Sequence, residues 1–196
     1  MSRIPKAPEA KQAEVSNELN MIAAAMGFAP NSLKLMAHRP AMVRGFAAMA
    51  GAMLGPGASI DPGLRQMIAN VSSAAAGCSY CQAHTAHGAE RAGLSAEKIE
   101  ALWGDRSGDM FTDGERAALA LAEAASRVPN AVSDAHFEAL KPHYSTEQIT
   151  EIVGVISMFG FLNRWNDTLA TFLEDEPRGF AEEHLAKKGW VIGAHG

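Results

Sequence analysis

Apolar residues recur every three or four positions along most of this chain, which is the spacing of one face of an α-helix. The segment from residue 61 to 76 shows it clearly, with four apolar side chains on one side: Leu64, Met67, Ile68 and Val71. Asp61 and Pro62 are a favourable N-cap and first-turn pair, and Gly77 follows as a helix breaker. The sequence therefore predicts a helix over residues 61–76.

The same spacing predicts helices along the rest of the chain. Glycine, proline and capping residues set their boundaries, and the predicted ranges are 12–26, 32–38, 40–54, 78–92, 95–103, 112–128, 133–140 and 145–172. Thr112 with Glu115, and Ser145 with Gln148, have the spacing of a capping box. No segment shows the alternation and turn signals of a strand, so the predicted fold class is all-α.

The pattern predicts one domain with a flanking segment at each end. Residues 1–10 contain two prolines and are predicted to form an N-terminal tail. Residues 11–173 form the helical domain. Residues 174–196 are polar and glycine-rich and are predicted to be a C-terminal extension, within which Trp190 docks on the rest of the chain.

The composition favours helices and excludes two classes of partner. Of the 196 residues, 47% are hydrophobic but only 7% are aromatic, and the abundant alanine and leucine favour helices. The formal net charge is −5 without a basic run, so we expect no nucleic-acid binding. The most apolar stretch, 152–162, is shorter than the ~20 residues that cross a bilayer, and no signal peptide is recognisable. We therefore expect no membrane contact and a cytoplasmic location.

The two cysteines lie three residues apart, in the segment 78–81 with the sequence Cys-Ser-Tyr-Cys. A lone CxxC indicates redox or metal chemistry more than a disulfide scaffold. A thioredoxin-like motif would follow a strand, whereas this one lies between two predicted helices. Haem attachment requires a histidine directly after the second cysteine, where this chain has Gln82.

The predicted start of a helix at this motif is a favourable place for a reactive thiol. Gly77 makes Cys78 a first-turn residue, and the unpaired N–H groups there stabilise a thiolate. His84 lies about 60° around the helix from Cys81 and one turn on, so it can reach the Cys81 sulfur as a general base or as a cation. A pair of this kind can also close into a disulfide.

The neighbouring side chains have weaker claims. His87 lies about another 60° around the helix, so it would act only through water or a neighbouring chain. Tyr80 is more typical of packing than of proton donation. Cys78, Cys81, His84 and His87 together turn through about 180° and cannot converge on one zinc ion, so we predict no metal.

Three segments together resemble a known family. They are the helix 61–76 with the CxxC motif, the Ala-Gly-Leu-Ser run at 92–95, and the segment 163–167 with the sequence Asn-Arg-Trp-Asn-Asp. In these the chain resembles the AhpD-like, carboxymuconolactone decarboxylase superfamily, most closely over residues 60–103. The resemblance implies an AhpD-like helical bundle, a homo-oligomer and thiol-dependent reduction of hydroperoxides.

The resemblance also implies roles for individual residues. Cys81 would be the attacking thiol and Cys78 its resolving partner. In the alkylhydroperoxidase members a glutamate and a histidine relay the proton, but here Gln66 stands at the glutamate position and Thr85 at the histidine position. Gln66 can form hydrogen bonds but cannot take up a proton, so His84 is the candidate substitute.

The sequence thus predicts a thiol-dependent peroxidase or disulfide reductase, whose only redox group is the disulfide of its CxxC pair. An external dithiol, such as a lipoyl group or a thiol protein, would restore the thiols. Two alternatives stay open: a decarboxylase-like lyase that uses the same fold, and a non-enzymatic redox-sensing or metal-binding module.

Overall fold

Eleven α-helices follow one another without an intervening strand in the computed structural model, which describes residues 1–196. They are α1 (Glu9–Ala13), α2 (Ser16–Met26), α3 (Asn31–Met36), α4 (Pro40–Leu54), α5 (Pro62–Ala76), α6 (Ser79–Arg91), α7 (Ala96–Ala101), α8 (Asp113–Ser126), α9 (Asp134–Leu140), α10 (Thr146–Leu169) and α11 (Asp175–His184). Two short 3-10 helices follow, Ala186–Lys188 and Gly193–His195. The predicted all-α class is confirmed.

The helix starts follow the capping residues in the sequence. The Asp61 side chain accepts hydrogen bonds from the backbone N–H groups of Gly63, at 2.8 Å, and Leu64, at 3.2 Å. Both predicted capping boxes, which begin at Thr112 and at Ser145, are present. Each cap satisfies backbone donors that the helix itself leaves unpaired.

Two predictions about helix boundaries are wrong. The range 12–26 contains two helices, because Val15 leaves the helical conformation (φ −131°, ψ 26°) between α1 and α2 and is fully buried. The polar region after residue 174, which was predicted to be an extension, contains the helix α11. Its acidic first turn suits a helix N-terminus, and its apolar side chains Phe180 and Ala181 are buried.

The centre of the molecule is α5, which packs against α6, α8 and α10. Ten of its fifteen residues are buried. A second, smaller cluster of seven buried apolar residues joins α2, α3 and α4 and includes Ala7, which precedes α1. Because α11 packs on α6, the start of α6 lies between α5 on one side and the C-terminal segment on the other.

Both ends of the chain are in contact with the domain. The Arg3 backbone N–H donates to the carbonyl of Leu169 at 2.8 Å, so the predicted tail lies along the end of α10. Trp190 is 4% exposed, and its indole N–H donates to the carbonyl of Ser79 at 3.1 Å. The predicted docking of Trp190 therefore takes place at the CxxC motif. None of the helices has the length and hydropathy that crossing a bilayer requires.

Candidate functional site

The CxxC motif begins at a tight joint between α5 and α6. Gly77 has φ +81°, a left-handed conformation that favours glycine. The N–H of Cys78 donates to Ser73 O and that of Gly77 to Ala74 O, both at 3.1 Å, which is the hydrogen-bond pattern of a Schellman motif. Cys78 is therefore the N-cap residue of α6, one position earlier than the sequence predicted.

This joint brings the two thiols together. Cys81 is the third residue of α6, and side chains at the N-cap and third positions approach one another as they do in a capping box. Both cysteines are free thiols, with relative exposures of 0% for Cys78 and 2% for Cys81. The pair has the spacing from which a disulfide can close.

Cys81, and not Cys78, lines a cavity of about 550 Å³. Most of the cavity wall is apolar and includes Met21, Ile22, Phe46, Leu54, Met158 and Phe159. Six of the seven candidate residues predicted from the sequence line it: Gln66, Tyr80, Cys81, His84, Thr85 and His87. Of the two thiols, Cys81 is therefore the one that a small molecule in the cavity would meet.

Asn166 supplies a hydrogen-bond donor to the Cys81 sulfur. Its Nδ2 lies 3.4 Å from Sγ, and the side chain is 1% exposed. The contact links α10 to the start of α6 and gives the buried sulfur a polar partner.

The His84 ring pairs with the carboxylate of Glu174, which directly precedes α11. His84 Nε2 and Glu174 Oε2 are 2.7 Å apart, and each side chain is 9% exposed. The other carboxylate oxygen accepts from the Tyr80 hydroxyl at 3.1 Å and from the Asn31 backbone N–H. The rings of Tyr80 and His84 stack with centroids 4.2 Å apart. No hydrogen bond joins His84 to the Cys81 sulfur, so the contact expected from helix geometry is not made.

These contacts fix the protonation of Glu174 and Tyr80. Burial works against ionisation of Glu174, but hydrogen bonds from His84 and the Asn31 backbone outweigh it, and the pKa of Glu174 is lowered. Burial and the Glu174 charge raise the pKa of Tyr80 well above its usual value. The group is thus a carboxylate that accepts hydrogen bonds from a phenol and a histidine.

A second histidine and carboxylate lie behind Cys78. A ring nitrogen of His195, a carboxylate oxygen of Asp167 and the sulfur of Cys78 all lie within 4.8 Å of one another. His195 Nδ1 donates to the carbonyl of Thr171 at 2.8 Å, and Nε2 lies 3.0 Å from Asp167 Oδ1. Both ring nitrogens thus face an acceptor, an arrangement that suits the doubly protonated imidazolium.

The pKa directions agree with this arrangement. Burial lowers the pKa of His195, but the neighbouring Cys78 thiol and the hydrogen bonds with Thr171 and Asp167 outweigh it, so the net shift is upward. For Cys78, the adjacent Cys81 sulfur and then burial raise the pKa, while His195 lowers it. Within the reduced pair, Cys78 is therefore the thiol that keeps its proton.

The Cys78, Asp167 and His195 donors are also the one group of three side chains close enough to share a metal ion. They supply three donors, one fewer than a closed zinc site, and Nε2 of His195 is already paired with Asp167. Hydrogen bonding accounts for the arrangement. Cys81, His84 and His87 belong to no such group.

The sequence itself places the chain in a family. A sequence profile of the carboxymuconolactone decarboxylase family matches residues 40–124, which hold the α5–α6 joint and both thiols. The chain belongs to this family. Its fold is the AhpD-like helical fold, so the resemblance inferred from the motifs is confirmed.

Solved structures of similar proteins cover almost the whole chain. A cysteine-to-alanine variant of the debrominase Bmp8, in complex with 2,3,4-tribromopyrrole, is 30% identical with a TM-score of 0.86, over 93% of this chain and 99% of Bmp8. An uncharacterised peroxidase-related protein from Ralstonia eutropha JMP134, described as an alkylhydroperoxidase AhpD core, is 26% identical with a TM-score of 0.80, over 92% of this chain and 95% of that protein.

The uncharacterised protein YnjA of Escherichia coli K12 is 32% identical over 111 residues. That match covers 56% of this chain and 60% of YnjA, so the chain spans less than two thirds of the length of this relative.

The structure gives local roles to three further candidates predicted from the sequence. Gln66 packs against α6 at Gly88, where an added Cβ would lie 2.7 Å from the Gln66 amide oxygen. The Thr85 hydroxyl donates to the Cys81 carbonyl at 2.7 Å and accepts from Asn70 Nδ2 at 3.0 Å, so it ties α6 to α5. The ring of His87 lies between Phe28 and Phe180, and burial lowers its pKa.

Four residues at the site were not among the sequence candidates: Asn166, Asp167, Glu174 and His195. The first two lie in the segment 163–167, which carried part of the family resemblance but was given no role. Glu174 and His195 lie in the region predicted to be an extension. Glu174 precedes an acidic helix start with buried Phe180 and Leu185 behind it, and this spacing could have revealed α11.

Proposed function

We propose that this protein is a dithiol-dependent reductase of small apolar organic molecules, with Cys81 as the attacking thiol. The observation that carries the proposal is the unequal placement of the two sulfurs. Cys81 lines the apolar cavity and accepts a hydrogen bond from Asn166, while Cys78 is fully buried and keeps its proton. One thiol is placed to attack and the other to resolve.

The first candidate substrate is an organic hydroperoxide. The Cys81 thiolate attacks the terminal oxygen, the O–O bond breaks, and Cys81 becomes a sulfenic acid while an alkoxide leaves. The alkoxide takes up a proton and departs as an alcohol. Cys78 then attacks the Cys81 sulfur, water leaves, and the disulfide forms. An external dithiol reduces the disulfide and returns both thiols.

The His84–Glu174 pair is the proton source for the leaving alkoxide. His84 faces the same cavity as Cys81, and the Glu174 carboxylate holds its ring from the other side at 2.7 Å. A histidine oriented by a carboxylate is a common acid–base arrangement. Glu174 thereby supplies the negative charge that Gln66 cannot supply at the family's usual glutamate position.

The second candidate is reductive removal of bromine from an aromatic ring, which the likeness to the debrominase Bmp8 favours. Here Cys81 attacks the bromine atom, the carbon–bromine bond breaks, and the ring carbon takes a proton from His84. Cys78 attacks the brominated sulfur, bromide leaves, and the same disulfide forms. Both candidates consume two thiols for each molecule of substrate.

The test is to mix the fully reduced protein with cumene hydroperoxide or with 2,3,4-tribromopyrrole and to count the remaining thiols by alkylation and mass spectrometry. We expect loss of both thiols with at least one of the two compounds, and a Cys78–Cys81 disulfide as the product. Cys81→Ser should abolish the reaction. Cys78→Ser should still react once, and it should stop at an oxidised Cys81.

Two outcomes would contradict the proposal. One is that both thiols stay free with both compounds. The other is activity on any substrate that survives in the double variant Cys78→Ser/Cys81→Ser, which would favour a lyase of the same fold.

A further inference from the structure

We infer that His195, oriented by the Thr171 carbonyl and linked to solvent through Asp167, is the acid–base catalyst of Cys78 and serves the making and breaking of the disulfide, not the attack on substrate. The inference deepens the proposed function and rests on its dithiol cycle. Its chemical class is proton transfer during thiol–disulfide exchange, in which the substrate of the cavity takes no part.

The geometry is that of a nucleophile, a base and an orienting group. His195 lies with Asp167 and the Cys78 sulfur in one cluster whose reactive atoms are within 4.8 Å of one another. The carbonyl of Thr171 fixes the far ring nitrogen at 2.8 Å. His195 is 3% exposed, so its orientation is set by the protein and not by solvent.

The cluster lies on a different side of the dithiol from the cavity. His195 and Asp167 do not line the cavity that holds Cys81. Asp167 lines a separate surface groove, and its side chain is 44% exposed. A proton can thus travel between buried Cys78 and solvent through His195 and Asp167 while the cavity is occupied.

The reduction step shows what the cluster contributes. An external dithiolate attacks the Cys81 sulfur, which faces the cavity; a new sulfur–sulfur bond forms there, the Cys78–Cys81 bond breaks, and Cys78 leaves as a thiolate. The imidazolium of His195 gives its proton to that thiolate. The neutral ring then regains a proton from solvent beside Asp167. A leaving thiolate that is stabilised and protonated departs faster.

Disulfide formation runs along the same path in reverse. In the resting protein the adjacent Cys81 sulfur is the largest cause of the raised pKa of Cys78. Once Cys81 has reacted with substrate, that thiol or thiolate is gone, so the pKa of Cys78 falls, and burial is left to oppose the lowering effect of His195. Cys78 then loses its proton through His195 to solvent and attacks Cys81. The order of events therefore protects Cys78 until the first step has occurred.

The titratable groups that face His195 are few. They are Cys78 at the start of α6, Asp167 on α10 and Tyr80, whose ring centroid is 5.7 Å from that of His195. The amino group of Met1 contacts the next residue, Gly196. Tyr80 and Cys78 keep their protons because their pKa values are raised, so His195 is the group expected to titrate in this cluster above neutral pH.

The test uses thiol–disulfide exchange alone, without a hydroperoxide or a bromopyrrole. The full-length protein is oxidised with diamide in the presence of a chelator, and its reduction by dithiothreitol is followed from pH 6 to 9.5 by thiol trapping and mass spectrometry. Rates are expressed per dithiothreitol thiolate. We expect His195→Gln to slow reduction on the order of 10- to 100-fold near pH 6.5, with the difference closing at high pH, where the wild-type ring is also neutral.

Two further variants bracket this result. The Asp167 side chain is 44% exposed, so Asp167→Asn should fold normally. We expect it to slow reduction less than His195→Gln does, over the same pH range. His184→Gln removes another histidine of the C-terminal segment, one that contacts Glu100 and not the thiols, and it should leave the rate unchanged.

The inference is overturned if folded His195→Gln matches the wild type within twofold at every pH, or if the loss does not depend on pH. If His195→Gln does not fold, the inference is overturned when Asp167→Asn shows the same pH dependence of the reduction rate as the wild type. A pair that diamide cannot close into a disulfide would contradict the proposed function instead.

Discussion

The site contains two histidine–carboxylate pairs, one for each thiol, and they differ in what they face. His84 and Glu174 are both 9% exposed and lie on the cavity side, where Cys81 is. His195 is 3% exposed, but its partner Asp167 is 44% exposed and opens onto a groove away from the cavity. The same chemical pair can thus serve substrate in one place and proton exchange with solvent in the other. What differs is the route to water, not the type of residue.

The largest expected effect comes from the cavity pair. His84→Gln removes the acid that we propose for the leaving group, and we expect the hydroperoxide-dependent loss of the first thiol to slow by about 10²-fold. Reduction of the disulfide by dithiothreitol should not change. Rapid mixing with thiol trapping measures both rates. His87→Gln is the control, because His87 lines the same cavity but contacts aromatic rings. Equal slowing of both half-reactions in His84→Gln would remove the distinction between the two pairs.

A smaller effect is expected from the donor to the Cys81 sulfur. Asn166→Leu removes the 3.4 Å contact, and a hydrogen bond to a charged group contributes about 1.5–3 kcal/mol. We expect the alkylation of Cys81 at pH 7 to slow by roughly 10-fold or more. Asn163→Leu, one turn earlier on α10, is the matched control because buried Asn163 has no hydrogen-bond partner. If both variants alkylate at the wild-type rate, the sulfur does not depend on this donor.

The smallest expected effects are on stability, and they should have opposite pH dependence. The pKa of Glu174 is lowered, so its contribution is present above the unfolded-state value of about 4.3 and is lost as pH falls through the folded-state value. The pKa of His195 is raised, so its contribution is complete below about 6.5 and is lost as pH rises through the folded-state value.

Urea unfolding checks this prediction. At pH 6 we expect Glu174→Gln and His195→Gln each to lower the free energy of unfolding by about 1–3 kcal/mol. The loss in Glu174→Gln should shrink toward pH 3, and the loss in His195→Gln should shrink toward pH 9. Parallel pH profiles for the two variants would show that the pairs do not have the charge states described here.

Local sequence signals predicted the elements that carry the thiols. Asp61, Gly77 and the two capping boxes act over three or four residues, and a single sequence displays such spacings directly. Helix angles also placed His84 on the side of Cys81, where both line the cavity. Helix angles could not predict that the His84 ring nitrogen would pair with Glu174, because Glu174 lies 90 residues away in the sequence.

The rest of the site depends on contacts that no local pattern encodes. Glu174 and His195 reach the thiols because α11 packs on α6 and Trp190 is anchored at Ser79. The polar composition of this region conceals a helix that buries only a few apolar residues. The family pattern indicated that a carboxylate was missing at Gln66, but it could not indicate which distant segment would supply one.

The joint at Gly77 also determines how the two thiols can be reached. Backbone hydrogen bonds hold the end of α5 and the start of α6 together, and the side chains of Asn70 and Gln82 cross between the helices at 3.0 and 3.3 Å. The two sulfur atoms are therefore held in fixed positions by the packing of α5 against α6. Because the CxxC segment is held in place, the disulfide cannot move out toward a reductant. The redox partner that we propose would have to supply the moving part, a lipoyl chain or a flexible thiol segment slender enough to enter the cavity.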